Sequence, residues 1–108
     1  MASLDLLQGT LDLLVLRTLS WGPMHGYSVA RLIRERSEGA FLIEEGALYP
    51  ALHRLERQAW IESEWGLSEN NRKAKFYQLT PQGRAQLRAQ VANWNRYTRA
   101  VAGVLEPA

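Results

Sequence analysis

The hydrophobic pattern of this chain changes period at Trp60, and that change limits the fold more than any other feature. Up to about Ala59 the apolar residues recur every three to four positions, the spacing of one helix face. Trp60 to Trp65 and Lys73 to Leu79 alternate instead, which is the spacing of strands. After Thr80 the helical spacing returns. The predicted order is helix, helix, helix, hairpin, helix: a mainly α chain of the α+β class.

Leu4, Leu7, Leu11 and Leu14, widened by Leu6, Leu13 and Leu16, predict a first helix over roughly residues 4–20. Trp21-Gly22-Pro23 ends it, because proline breaks the hydrogen-bond ladder. A second helix runs from His25-Gly26 to about Glu38, with Val29, Leu32 and Ile33 inward and Gly39 as its stop. Phe41-Leu42-Ile43 reads as a strand stub or a packed turn. The third helix, Gly46 to about Ala59, buries Leu48, Leu52 and Leu55, and Pro50 falls in its first turn. Gly66 to Arg72 forms a long polar hairpin loop, and Thr80-Pro81 caps and opens the last helix.

Composition removes several function classes. A length of 108 residues suits one compact core. Zero cysteine excludes disulfide scaffolds, thiolate metal sites and cysteine nucleophiles. The longest leucine-rich run, Leu13 to Leu16, stops at Arg17, and no basic cluster precedes the apolar start, so a cytoplasmic location is expected. The chain has no glycine-rich phosphate loop, HExxH motif or nucleophile elbow, so no enzyme is expected. His25 and His53 are too few for a metal centre and read better as a cap and a groove-facing side chain; neither metal nor cofactor is expected. The net charge of +2 conceals a gradient: residues 1–45 carry 4 basic and 6 acidic groups, residues 46–79 carry 5 and 4, and residues 80–108 carry 4 and 1.

Three helices followed by a two-stranded hairpin is the winged helix-turn-helix order, in which the third helix enters the major groove. Tyr49, His53, Arg54 and Arg57 lie opposite its leucines and offer hydroxyl, imidazole and guanidinium donors to phosphates or base edges. Tyr49 has an alternative, packing its ring and exposing only its hydroxyl. Arg72, Lys73 and Lys75 put three cations at the end of the wing loop, suited to phosphate contact.

Four blocks carry a resemblance to a known family. They are Gly9-Thr10-Leu11-Asp12-Leu13-Leu14-Val15-Leu16, Gly22-Pro23-Met24-His25-Gly26-Tyr27, Glu45-Gly46-Ala47-Leu48-Tyr49-Pro50-Ala51-Leu52-His53-Arg54-Leu55-Glu56 and Lys75-Phe76-Tyr77-Gln78-Leu79-Thr80-Pro81-Gln82-Gly83. In these the chain resembles PadR-family transcriptional regulators of the short-tailed type, with one C-terminal dimerisation helix. The resemblance implies a dimeric, effector-released repressor, with Tyr27 and Ser28 joining the residues expected at DNA. It departs from the family at Ala47, where a hydroxyl is usual, at Ala59-Trp60, where Gly-Leu is usual, and at Ala74 within the basic run. Without glycine at 59 the left-handed helix exit costs about 1 kcal/mol, so a different exit is expected.

The last helix has apolar rows at Leu87, Trp94, Val101 and at Val91, Thr98, Leu105, each spaced by seven. Its expected length of ~33 Å exceeds the ~13 Å radius of gyration of a domain this size. Leu87, Val91, Trp94, Thr98 and Val101 are therefore expected to meet the first helix of a second copy at Leu4, Leu7 and Leu11. The division expected is a DNA-binding winged-helix domain over 1–79 and a dimerisation helix with a short tail over 80–108. Trp94 is also a candidate contact for a small aromatic or hydrophobic effector, with plain interface packing as the alternative. The function expected is regulation of transcription on a roughly palindromic double-stranded operator. A winged-helix dimer binding protein or ligand without strong DNA affinity is the second reading.

Overall fold

Gly9 adopts a left-handed φ of 85°, and the first helix starts immediately after it. In the computed structural model, which describes residues 4–7 and 9–107, the elements are α1 (Thr10–Leu19), β1 (Met24–His25), α2 (Gly26–Arg36), α3 (Glu45–Arg57), β2 (Ile61–Leu67), β3 (Lys73–Leu79) and α4 (Pro81–Leu105). The helix expected from residue 4 thus begins at Thr10. Leu4 to Leu7 continue the apolar spacing but form no helix, and the Leu4 N–H donates instead to the Ala40 carbonyl at 2.8 Å.

His25 caps α2, its Nδ1 accepting from the Ser28 N–H at 3.3 Å. The helix stops at Arg36, two residues before the expected Glu38, because Glu38 (φ 54°) and Gly39 (φ 80°) are both left-handed. Phe41-Leu42-Ile43 forms no strand. Phe41 and Ile43 pack against the core from an irregular connection, and the Phe41 N–H is held by the Ser37 hydroxyl at 3.0 Å.

Helix α3 starts at Glu45, so Pro50 is its sixth residue rather than part of its first turn. Its missing N–H removes the ladder bond to the Gly46 carbonyl, on an exposed part of the helix. Leu48, Leu52 and Leu55 are buried in one cluster with Val15, Leu16 and Leu19 of α1 and Val29 and Ile33 of α2, and Ala51 is fully buried as well. The exit of α3 keeps the left-handed form without glycine. Ala59 has φ 61°, and the Trp60 N–H closes the turn on the Leu55 carbonyl at 3.1 Å.

Strands β2 and β3 pair antiparallel from Ile61 opposite Leu79 to Leu67 opposite Lys73. Gly66 and Leu67 belong to the ladder, so the connecting turn is shorter than expected and spans Ser68 to Arg72. A third strand joins the wing: β1 pairs with β3 through Met24 opposite Tyr77 and His25 opposite Phe76, giving the order β1-β3-β2. Two residues carry no readable period, which is why the sequence pattern shows only two strands.

Helix α4 is seated on the exit of α3. Thr80 accepts from the Gly83 N–H at 3.0 Å and donates its hydroxyl to the Ala59 carbonyl at 2.6 Å, while its own N–H reaches the Trp60 carbonyl at 3.0 Å. Only Gly83 and Leu87 of α4 are buried. The helix runs past the domain, giving overall extents of 58 × 35 × 21 Å and a radius of gyration of 15.3 Å.

Candidate nucleic-acid interface

Helical spacing around the buried leucines of α3 distributes the expected DNA contacts over three directions. His53 and Arg57 are both exposed, Arg57 also bordering the groove that Arg54 lines. Neither has an ion-pair partner among the described residues. Tyr49 turns toward α2, where its ring lies over Gly26; a Cβ at that glycine would stand 3.2 Å from the Tyr49 ring and hydroxyl oxygen. The ring is thus half-packed and partly presented. Arg54 turns the other way, toward α1, and its guanidinium is held by the Asp12 carboxylate at 2.8 and 3.4 Å. That pairing raises the Arg54 pKa further. Arg54 is therefore not the free cation that its position opposite the leucines implied.

At the start of α2, Tyr27 is 70% exposed, its ring centre 6.1 Å from that of His25. The Ser28 hydroxyl lies 3.3 Å from His25 Nε2 and so is tied into the helix cap. Period two places Ser63, Trp65 and Leu67 of β2 on the same face as Lys73, Lys75 and Tyr77 of β3. This face joins α3 through Glu56, which accepts from the Ser63 hydroxyl at 2.9 Å and lies 3.8 Å from Lys75 Nζ. Burial, reinforced by the nearby Glu56 and Tyr49, pushes the Tyr77 hydroxyl above its ordinary pKa. Arg72 and Lys73 remain exposed, the Lys73 ammonium standing 5.4 Å from the centre of the Trp65 ring. Glu56 and Trp65 also lie on this candidate surface, outside the residues expected from the sequence. One turn of helix places Glu56 beside His53, a spacing the sequence carries, whereas Trp65 comes opposite Lys75 only because Gly66 and Leu67 join the ladder.

The residues expected at a dimer contact divide differently from the expectation. Leu87 is 5% exposed and spent on its own core, and Leu11 and Val91 pack partly against that core. Thr98 turns its hydroxyl back to the Trp94 carbonyl at 3.0 Å. Leu4, Leu7, Trp94 and Val101 are exposed, as are Tyr97, Val104 and Leu105. Trp94 and Tyr97 stack with ring centres 6.1 Å apart at one wall of a groove of about 910 Å³, which Leu13, Arg54, Arg57 and Trp60 also line. No group of three or more metal-ligating side chains gathers among the described residues, and no helix among them is long and apolar enough to cross a membrane.

The family model for the transcriptional regulator PadR-like family matches residues 15–89. The chain belongs to the PadR-like family. Members are DNA-binding transcriptional regulators rather than enzymes, and the winged-helix order described above is theirs. An uncharacterized protein of Lysinibacillus sphaericus is 33% identical over 90 residues, 83% of either chain. A transcriptional regulator from Clostridium thermocellum superposes with a TM-score of 0.83 at 26% identity, over 92% of this chain and 96% of the other. A PadR-family regulator from Eggerthella lenta gives a TM-score of 0.80 at 33% identity, over 94% and 86%.

Proposed function

We propose that this PadR-family regulator is a cytoplasmic homodimer that represses transcription by binding a roughly palindromic operator and is released by a small aromatic or hydrophobic effector. One observation carries the DNA reading: helix α3, with His53 and Arg57 exposed and Tyr49 partly presented, is tied through the contact of Glu56 with Lys75 to the wing, whose cations Arg72 and Lys73 are exposed. Helix and wing thereby offer one surface, with donors for base edges in the middle and cations for phosphates at its end. Residues 1–79 form the reading head. Helix α4 supplies the dimer contact through Trp94, Val101 and their exposed neighbours, with Leu4 and Leu7 of the other copy. Two reading heads about 34–36 Å apart then address successive turns of one face of the duplex. An effector in the groove beside Trp94 acts by changing that separation.

The pairing of Arg54 with Asp12 and of Lys75 with Glu56 favours a second reading, a protein- or ligand-binding dimer with little DNA affinity. Selection of bound fragments from genomic DNA, followed by a salt titration on the selected operator, separates the two. A repressor gives a footprint with two half-sites and an affinity that falls steeply with salt, by about 0.9 log units per log unit of salt for each phosphate contact. Enrichment of no sequence, with weak binding indifferent to salt, overturns the DNA reading.

A further inference from the structure

The wing carries an apolar patch that the assignment of phosphate contacts leaves unused. Trp65 is 62% exposed and Leu67 67% exposed, adjacent on the inner face of β2. Across the ladder Trp65 lies opposite Lys75 and Leu67 opposite Lys73, so each apolar side chain is flanked by a cation. The Lys73 ammonium lies over the indole at 5.4 Å. Glu62 and Glu64 alternate onto the other face, where Glu62 accepts from Gln78 at 2.7 Å, which keeps carboxylates of the strand off the patch. The patch is continuous with the α3 surface through Ser63, Glu56 and Lys75.

An occupant must be anionic enough for Arg72, Lys73 and Lys75 and must offer apolar surface between its charges. Duplex DNA does both, because deoxyribose faces separate successive phosphates along the walls of its grooves. A dimer contact is the poorer match. A second copy would have to bring its own carboxylates against three cations, and the exposed apolar residues of α4 are already suited to self-association.

We propose that Trp65, supported by Leu67, is an apolar DNA contact of the wing, its indole lying on the sugar faces beside the groove while Lys73 and Lys75 hold the flanking phosphates. This rests on the DNA-binding reading above. The contact contributes affinity with little dependence on salt, unlike that of the lysines.

The test uses the full-length protein with its selected operator. The chain has four tryptophans, so fluorotryptophan labelling gives a small set of fluorine resonances, and Trp65→Phe assigns one of them. Addition of operator duplex is expected to shift the Trp65 resonance while Trp21 stays in place. Trp65→Ala is expected to weaken binding roughly tenfold at every salt concentration, the scale of one lost apolar anchor. Its salt slope should remain that of the wild type, and Trp65→Phe should recover most of the loss. Lys73→Ala should instead flatten the slope by about one contact, and Lys75→Ala, whose ammonium lies 3.8 Å from Glu56, by less. Wild-type affinity in Trp65→Ala, or an unmoved Trp65 resonance on an operator that still needs His53 and Arg57, overturns the proposal and leaves the DNA reading standing. Failure of the wild type to bind any duplex overturns both.

Discussion

Arg54 of α3 is bound side-on by Asp12 of α1, Nη2 to Oδ1 at 2.8 Å and Nε to Oδ2 at 3.4 Å. The pair ties the helix expected to read DNA to the helix that lines the groove near Trp94. Both side chains are partly exposed, so water screens the attraction, and a double-mutant cycle with Asp12→Ala and Arg54→Ala should give a coupling of about 0.5–1 kcal/mol. Urea melts at low and high salt check it, the coupling shrinking as salt rises. The same tie predicts that Arg54→Ala leaves the salt slope of operator binding unchanged. Arg57→Ala should lower it by about one contact.

Gly83 and Trp60 meet where α4 leaves the domain. A Cβ on residue 83 would stand 1.9 Å from the Trp60 carbonyl oxygen, and that oxygen is fixed by the Thr80 N–H. Backbone must move to admit any side chain there. Gly83→Ala should therefore lose roughly 3 kcal/mol or more in urea unfolding, far beyond the cost of an ordinary surface change. The Thr80→Ala variant, which loses a cap and the bond to Ala59, should lose about 1–2 kcal/mol.

These junctions mark where sequence stops being legible. The leucines of α3 and the alternation of β2 and β3 are set by burial that neighbouring residues share, so their spacing can be read directly. The start of α1 is not readable in that way, because Leu4, Leu6 and Leu7 keep the apolar spacing while the backbone at Gly9 turns left-handed. Arg54 and Arg57 are three positions apart on one helix and look alike in sequence. Only Asp12, far away along the chain, distinguishes them. Leu87 and Trp94 share one row of the last helix, yet the first is buried in its own domain and the second is open. What separates them is the point at which α4 passes the end of the core, a property of the assembled fold.

Ala59 is held at φ 61°, a region that favours glycine. The closing bonds of Ala59 to Glu56 and of Trp60 to Leu55 keep it there at 2.9 and 3.1 Å. Ala59→Gly relieves the contact of Cβ with the following carbonyl, at a smaller penalty from the freer unfolded chain. The net expectation is a gain of about 0.5–1 kcal/mol, read as a higher urea midpoint with unchanged slope.

Val101 lies on the part of α4 beyond the domain, with Val104 and Leu105 exposed after it. If this end of the helix is covered by a second copy, a carboxylate at 101 is buried without a partner. Val101→Glu should shift the protein from dimer to monomer in sedimentation while leaving the helical signal of the domain in place. The wild-type melting point should also fall by a few degrees on tenfold dilution, and that of the variant should not. A wild type that sediments as a monomer at every concentration rules out the α4 assembly.

Tyr77 is buried beneath the sheet, and burial together with Glu56 and Tyr49 raises its pKa above the ordinary value. In the unfolded chain the phenol ionises near its usual pKa of about 10. Between that value and the raised native one, the folded protein binds more protons than the unfolded one, so stability falls as pH rises. Below the unfolded value the stabilisation is fully present and does not vary. Tyr77→Phe lacks the ionisation and should lose stability less steeply on the alkaline side. Urea melts of both proteins from pH 8 to about 11 check this: a constant difference up to about pH 10, then a relative decline of the wild type. Parallel curves across the whole range would show that Tyr77 ionises equally easily in the folded chain.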